Sequence, residues 1–480
     1  MLLSRDSFLS MATATVACMS SLLLMSCGSV PSPLILSLPA PVPMLDKQKF
    51  REIDAAIEFY IAHQQMPGAV FWLERNGESY QKPYGKFSYE PGAARVEMDT
   101  IFDAASLTKV ISTTPAVMWL IEHGQVELDA PLIQYLPECG NGNSGGGGDG
   151  NGDGHSGGKE LITIRHLLTH TSGLPAGIPA TLADGTAWQG EAAALKLACG
   201  QKVTAPPGTL FRYSDINFIL LGQLVQRVSG QPLNQFVQQK IFGPLGMHHT
   251  GYLPLQKFSA ERIAPTQKIL PVNAVVDVAT NSATNAAANA GKVPYNELPG
   301  GKIRQGVVHD PTAQRIGGVA GHAGLFTTAS DLARYARMML NQGELDGVRV
   351  LSRESVRLMT TVQSPLTVAS PTRWRRSAGW DIDSPYARPR GTLFPIGSYG
   401  HTGFTGCILW IDPFSKTFYV FLSNRVYPDD KNKDKGNILN LYGTLGTLAA
   451  QSVTGFDFMN VAGALAAIAN PFNHEKNKLP

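Results

Sequence analysis

The chain has 480 residues, of which 43% are apolar and 16% charged, with a formal net charge of +3. That is enough apolar chain for one large two-lobed unit or two to three ordinary domains, and a charged share below the usual quarter leans towards export. No dense Lys/Arg run or basic aromatic platform is present, which excludes the usual nucleic-acid-binding classes.

In chain order, Arg5 and Asp6 precede an uncharged apolar stretch from Phe8 to Met25 and then small residues. This is the pattern of a secretory signal. The alternative is a membrane anchor, against which the Ser, Thr and Ala content of the stretch counts. Leu24-Met25-Ser26-Cys27 resembles a bacterial lipobox. The reading is therefore a lipoprotein-type signal peptide over 1–26, lipid on Cys27, and a Pro-rich tether over 27–45. Such a protein is exported to the periplasm or cell envelope and held at the membrane by its lipid or leader.

Residues 46–64 have helical periodicity. Two β-rich runs then flank Asn76-Gly77, a hairpin signal. Helical character resumes from Ser106 to His123. Near the other end, 406–424 reads as two strands with a short turn, and 437–453 as a closing helix. Strands at both ends and helices between them suggest an antiparallel sheet built from both chain ends, with a mainly helical lobe inserted. Residues 139–160 are a Gly/Asn/Asp/Ser linker and 270–301 an Ala/Asn-rich excursion. The linker lacks the nonapeptide period of a calcium-binding repeat and reads as a flexible loop. Of the five cysteines, Cys18 and Cys27 lie in the leader, and Cys139, Cys199 and Cys407 show no zinc spacing. A Cys139–Cys199 disulfide and buried free thiols both remain open.

Ser-x-x-Lys occurs three times, at Ser79–Lys82, Ser106–Lys109 and Ser156–Lys159. The first falls in a strand, where this spacing sends the side chains to opposite faces. The third lies in the Gly-rich linker. Only Ser106–Lys109 opens a helix, where both side chains share a face and the serine N–H is free to face an oxyanion. Downstream come Tyr213-Ser214-Asp215 before an apolar helix and His401-Thr402-Gly403 at the head of a strand.

In that order these motifs resemble those of the serine β-lactamase and penicillin-binding-protein superfamily, on its class C side: Ser-x-x-Lys, Tyr-x-Asn, and Lys-Thr-Gly or His-Thr-Gly. The resemblance extends to "ITIRHLLTHTSGLP" (162–175), "IFGPLGMHHTGY" (241–252) and "GGVAGHAGLFTTASDLARYARMMLNQG" (317–343), and covers 46–455. "VVHDP" (307–311) brings it nearest the penicillin-binding protein 4B type, a branch linked to D-alanyl-D-alanine carboxypeptidase activity.

The resemblance implies an α/β (α+β) fold of the β-lactamase/transpeptidase type. Its α/β part spans 46–125 and 325–455, its helical lobe 126–324, and a tail 456–480 follows. It implies a serine hydrolase acting through an acyl-enzyme, without metal or cofactor. The substrate would be a small molecule or a peptidoglycan peptide, with β-lactams as further ligands. Esterase and β-lactamase activities are alternatives on the same fold. A non-catalytic envelope lipoprotein that binds wall peptides is a reading of another class, which intact Ser106, Lys109 and Tyr213 oppose.

Ser106 is then the nucleophile. Lys109 helps remove its proton, although neutralising an ordinary lysine near pH 7 costs about 4–5 kcal/mol. Tyr213 shares that proton. Asp215 stands where an asparagine is commoner. As a carboxylate it would hold Lys109 as an ammonium and move the base role to Tyr213; alternatively it only caps the following helix. His401 replaces a lysine, so recognition of a substrate carboxylate is weaker and follows a reference pKa of about 6.5. The other reading of His401 is an uncharged hydrogen-bonding group. Thr402 meets the substrate, Gly403 completes the motif, and the Phe404 N–H is the second oxyanion donor. His322 in "AGHAG" lines the cleft or braces its loops. His248 and His249 are adjacent and poorly placed for a helical metal site.

Overall fold

The computed structural model describes residues 44–140, 158–269, 296–298, 301–365, 375–429 and 435–461. The leader with Cys27, most of the tether, the centres of both insertions with Ser156, and the end of the tail lie outside them.

Helix α1 (Lys47–Ala62) is capped by Asp46, whose carboxylate accepts from the Gln48 N–H. Strands β1 (Gly68–Arg75) and β2 (Glu78–Gly85) form a hairpin in which Asn76 and Gly77 take φ of 49° and 88°. A two-residue turn between right-twisted strands needs that conformation, which Asn and Gly tolerate. Strand β3 (Phe102–Asp103) leads into Ser106. The expected helix from Ser106 begins one residue later and is not uniform, with a π turn over Lys109–Thr113 before α2 (Thr114–Glu122). The Thr114 N–H reaches back to the Lys109 carbonyl, and Pro115 has no N–H with which to close an ordinary turn.

The middle of the chain forms α3 (Ile164–Leu168), α4 (Glu191–Gly200), α5 (Asp215–Ser229) and α6 (Leu233–Val237). Strands β4 (Gln267–Ile269), β5 (Asn296–Leu298) and β6 (Gly301–Arg304) make a small antiparallel sheet. The feet of the 270–301 excursion are thus strands, because residues flanking its Ala/Asn-rich part pair across its base. Then come α7 (Pro311–Ile316), β7 (Phe326–Thr327), α8 (Ala329–Leu340), β8 (Glu344–Leu345), β9 (Val348–Arg349) and α9 (Arg353–Thr360). The last elements are β10 (Arg375–Arg376), β11 (Asp381–Asp383), β12 (Tyr399–Gly403), β13 (Cys407–Asp412), β14 (Thr417–Ser423) and α10 (Lys435–Gln451).

The main sheet has seven antiparallel strands in the order β10-β11-β12-β13-β14-β1-β2. Both ends of the chain therefore build it, with Phe71 of β1 opposite Phe421 of β14. The expected α/β architecture is present. Strand alternation divides the side chains between two layers. Phe71, Ile408 and Trp410 pack with Ile53 and Ile57 of α1 and Leu441 of α10. Val70, Leu409 and Ile411 face the layer holding Val117 of α2 and Leu332 of α8. Because both faces are covered, β1, β13 and β14 are buried along their whole length. Phe456 and Phe458 pack on the first layer, so folded chain continues past residue 455. A Cys139–Cys199 disulfide ties the turn before the Gly-rich insertion to α4, with Cα atoms 4.4 Å apart, while Cys407 is a buried free thiol.

Candidate active site

Ser106 sits on a tight turn between β3 and the π turn. Ala105 just before it has φ of 45°, a left-handed conformation that costs an L-residue about 1–2 kcal/mol. Lys109 is fully buried, and its Nζ lies 3.1 Å from Ser106 Oγ, 2.9 Å from the His322 carbonyl and 2.8 Å from Asp215 Oδ1. Two threonines of the same segment pin the loop that carries His322. Thr108 Oγ1 accepts from the Leu325 N–H at 3.1 Å, and Thr113 Oγ1 donates to the Gly321 carbonyl at 2.6 Å.

Helix α5 starts at Asp215, with Ser214 as its N-cap residue. The reading of Asp215 as a mere cap is therefore corrected: its carboxylate is turned to Lys109 instead of to its own helix. The Ser214 N–H donates to His170 Nδ1 at 3.1 Å, and the His170 ring stacks on Tyr213 with centroids 4.4 Å apart. Tyr213 in turn places its ring 5.1 Å from Lys109 Nζ and 6.0 Å from the His401 ring. In β12, Gly403 has a steric purpose. A Cβ there would meet the Ala104 carbonyl at 2.4 Å, so only glycine lets the strand end against the Ser106 turn. Thr402 pairs with Ile408 of β13, and Phe404 follows in the turn between the strands.

A cavity of about 250 Å³ is lined by Ser106, Asp215, Asp310, His322 and Phe404, among others. His322 lines the cleft and also braces a loop, its Nε2 lying 3.0 Å from Asp310 Oδ1. The remaining Ser-x-x-Lys pairs do other things. Lys82 pairs with Asp54 of α1 at 2.7 Å, and Lys159 donates to the Cys199 carbonyl.

Burial alone would pull the Lys109 ammonium down. Asp215 and Tyr213 outweigh it, so its pKa stands above the ordinary lysine value. His401 behaves differently from the leading expectation. Burial, then the charges of Arg376 and Lys109, push its pKa well below 6.5. It stays a neutral imidazole, with Nδ1–H donating to the Thr402 carbonyl at 2.8 Å and Nε2 left as acceptor. A carboxylate-binding imidazolium is thus replaced by the uncharged reading. His170 is held neutral by the same causes, and its Nε2 makes no hydrogen bond. The carboxyl of Asp310 is pulled well below its usual range: burial opposes this, but His322 and the Ala313 N–H prevail.

Asp215, Asp310 and His322 offer ligating atoms within 4.8 Å of one another. Each of these groups already has a partner, and a divalent ion there would sit against the buried ammonium of Lys109. The donor set therefore suits the lysine better than a metal.

Sequence reasoning missed Arg376, which is fully buried with its guanidinium 5.4 Å from the Phe211 ring and 6.0 Å from that of Tyr213. It also missed Asp310 as a wall of the cavity. The Asp-Pro pair at 310–311 is a helix-start signal, and Asp310 does cap α7, but nothing local says that it meets His322.

The Beta-lactamase family pattern matches residues 53–442. A protein of Escherichia coli strain K12, provisionally named a D-alanyl-D-alanine carboxypeptidase, is 29% identical over 74% of this chain and 77% of its own. An N-acetylmuramyl-L-alanine amidase of Bacillus subtilis is 28% identical over 83% of this chain and 85% of its own. Among solved structures, EstCE1, described as a hydrolase with promiscuous acyltransferase activity, superposes with a TM-score of 0.60 at 21% identity, covering 83% of this chain and 99% of that one. The chain belongs to the Beta-lactamase family and is a serine hydrolase of that fold.

Proposed function

We propose that the chain is a penicillin-binding D-alanyl-D-alanine carboxypeptidase or endopeptidase of the cell envelope, acting through an acyl-enzyme on Ser106. One observation carries the mechanism: Lys109 Nζ is held at once by Ser106 Oγ, Asp215 and the His322 carbonyl. An ammonium has three N–H donors and no lone pair. Held in this way, Lys109 donates to Ser106 Oγ and does not take its proton. Tyr213, whose charge interacts with the ammonium, is the group left to accept it.

In this mechanism Tyr213 starts as a phenolate beside the Lys109 ammonium; the Ser106 Oγ–carbonyl carbon bond forms, the carbonyl π bond opens to the oxyanion, and the Ser106 proton passes to the Tyr213 oxygen. The developing oxyanion faces the N–H groups of Ser106 and Phe404, a type of contact worth about 3–4 kcal/mol. The scissile C–N bond then breaks, and the departing D-alanine amine takes the proton from Tyr213. Water repeats the sequence to release the acyl group. The name of the Escherichia coli relative supports this substrate, and that of the Bacillus subtilis relative supports only a cell-wall peptide more broadly. The lipobox-like residues before Cys27 and the Cys139–Cys199 disulfide support export to an oxidising compartment.

The neutral His401 favours a second reading, an esterase of the same site, because it gives β12 no fixed cation for a substrate carboxylate. Intact mass spectrometry after incubation with muropeptides, activated esters and penicillins separates the two. D-alanine release with a muropeptide adduct on Ser106 supports the carboxypeptidase; adducts from esters alone support the esterase. No adduct that disappears in Ser106→Ala contradicts both.

A further inference from the structure

Asp103 is 1% exposed in β3 and does not line the cavity, yet it bonds to three of the segments that do. Its Oδ1 accepts from the Ala105 N–H at 2.8 Å, inside the strained turn that carries Ser106. Its Oδ2 accepts from the His309 N–H at 2.7 Å, at the start of the wall formed by His309 and Asp310. Its main-chain carbonyl accepts from Thr405 Oγ1 at 2.6 Å and from the Cys407 thiol at 3.4 Å, fixing the turn that carries Phe404.

We propose that Asp103 is a positioning residue for acylation, its carboxylate locking the Ser106 turn to the Asp310 wall while its carbonyl holds the Phe404 turn. This rests on Ser106 being the acylated residue. The lock is strongest in the ionised form. Two main-chain N–H groups, one on each oxygen, need two good acceptors, and protonation makes the hydroxyl oxygen a weak acceptor and removes the charge from both bonds. The ionised form is costly at this depth, so packing alone does not explain a carboxylate here. Burial pushes its pKa up to about 6; the His309 and Ala105 N–H groups pull it down, Asp310 pushes it up and Arg304 pulls it down. Among the described residues, His309, whose main-chain N–H donates to Asp103, and Cys407, whose thiol burial pushes up to about 12, also carry titratable side chains next to it. Above about pH 6 the carboxylate is ionised and the lock is closed; below it, protonation opens the lock.

The test is the single-turnover rate of Ser106 acylation by a fluorescent penicillin and by an activated ester, from about pH 5 to about pH 8. Ser106→Ala reports the background. The wild type is expected to lose rate about tenfold per unit below its limb near pH 6. Asp103→Asn is expected to lose that limb and to acylate about 10–100-fold more slowly at neutral pH, with a smaller change in apparent affinity. His309→Gln is expected to keep the limb, which separates the ring from the carboxylate. Thr405→Val, which leaves the carboxylate in place, is expected to slow acylation several-fold without moving the limb. A wild-type profile that is flat through pH 6 overturns the inference, even if Asp103→Asn fails to fold. So does a folded Asp103→Asn with the wild-type limb and rate. Absence of Ser106-dependent labelling at every pH instead overturns the hydrolase mechanism, and this inference with it.

Discussion

Lys109 and Arg376 are both fully buried beside Tyr213, and each faces a carboxylate, Asp215 at 2.8 Å and Asp381 at 3.5 Å. Their surroundings differ. Lys109 finds an acceptor for each of its hydrogens in Ser106, Asp215 and the His322 carbonyl. Arg376 gives Nη2 to the Gly379 carbonyl at 3.0 Å, while its Nε and Nη1 make no hydrogen bond. Burial pushes the Asp381 carboxyl up, and Arg376 only partly pulls it back. A fully bonded buried ion can be kept charged in one place; an under-bonded one is a net cost to the fold. The first pair reaches Ser106, whose Oγ lies 3.1 Å from Lys109 Nζ. The second acts at a distance, its charge adding to burial in keeping His170 and His401 neutral.

Substitutions can break this contrast, and their effects on acylation should fall in order. Ser106→Ala should abolish covalent labelling and lower turnover by about 10⁴-fold or more, measured by penicillin labelling and product release. Gly403→Ala should come next. Its Cβ would press on a main-chain carbonyl beside Ser106, and a displaced oxyanion donor costs about 10²–10³-fold in kcat. Arg376→Met should slow acylation only several-fold, but it should raise the pKa of His401 towards the ordinary value, as read by NMR titration. It should also destabilise by about 3 kcal/mol, a loss largely recovered in the Arg376→Met/Asp381→Asn double variant, as measured by denaturant unfolding. Replacing Cys139 and Cys199 by alanine should leave the acylation rate unchanged. It removes a cross-link between residues 60 apart, and should cost about 2–4 kcal/mol of stability.

The parts of this picture that were legible in the sequence are those with a local signal. Asn76-Gly77 announces its hairpin, the periodicity over 46–64 its helix, and the continuous apolar runs around Phe418 and Leu409 their strands. Ser106, Tyr213 and His401 were legible as an ordered set, the first two each just before a helix; the expected place of His401-Thr402-Gly403 at the head of a strand is corrected, because these residues close β12. Asp215 was legible as a chemical oddity, and its turn towards Lys109 was one of two outcomes weighed. What escaped depends on segments far apart in the chain. Arg376 sits in a two-residue strand with no pattern of its own, and its burial follows from Phe211 and Tyr213 packing over it. Burial then reverses the expected charge of His401, an effect that residue type cannot report. The π turn at Lys109 runs directly into Pro115, within a stretch that reads from sequence as an ordinary helix with a proline inside it.

The central claim is that Lys109 works as a cation and Tyr213 takes the proton. The pH profile of Ser106 acylation in Asp215→Asn, set against the wild type, tests it most directly. Without the Asp215 charge the Lys109 ammonium titrates at lower pH, so the alkaline limb should shift to lower pH and the rate above neutrality should fall. An unmoved limb would show that Asp215 does not govern the proton. A faster rate at neutral pH would mean that the neutral lysine is the base, contradicting the account.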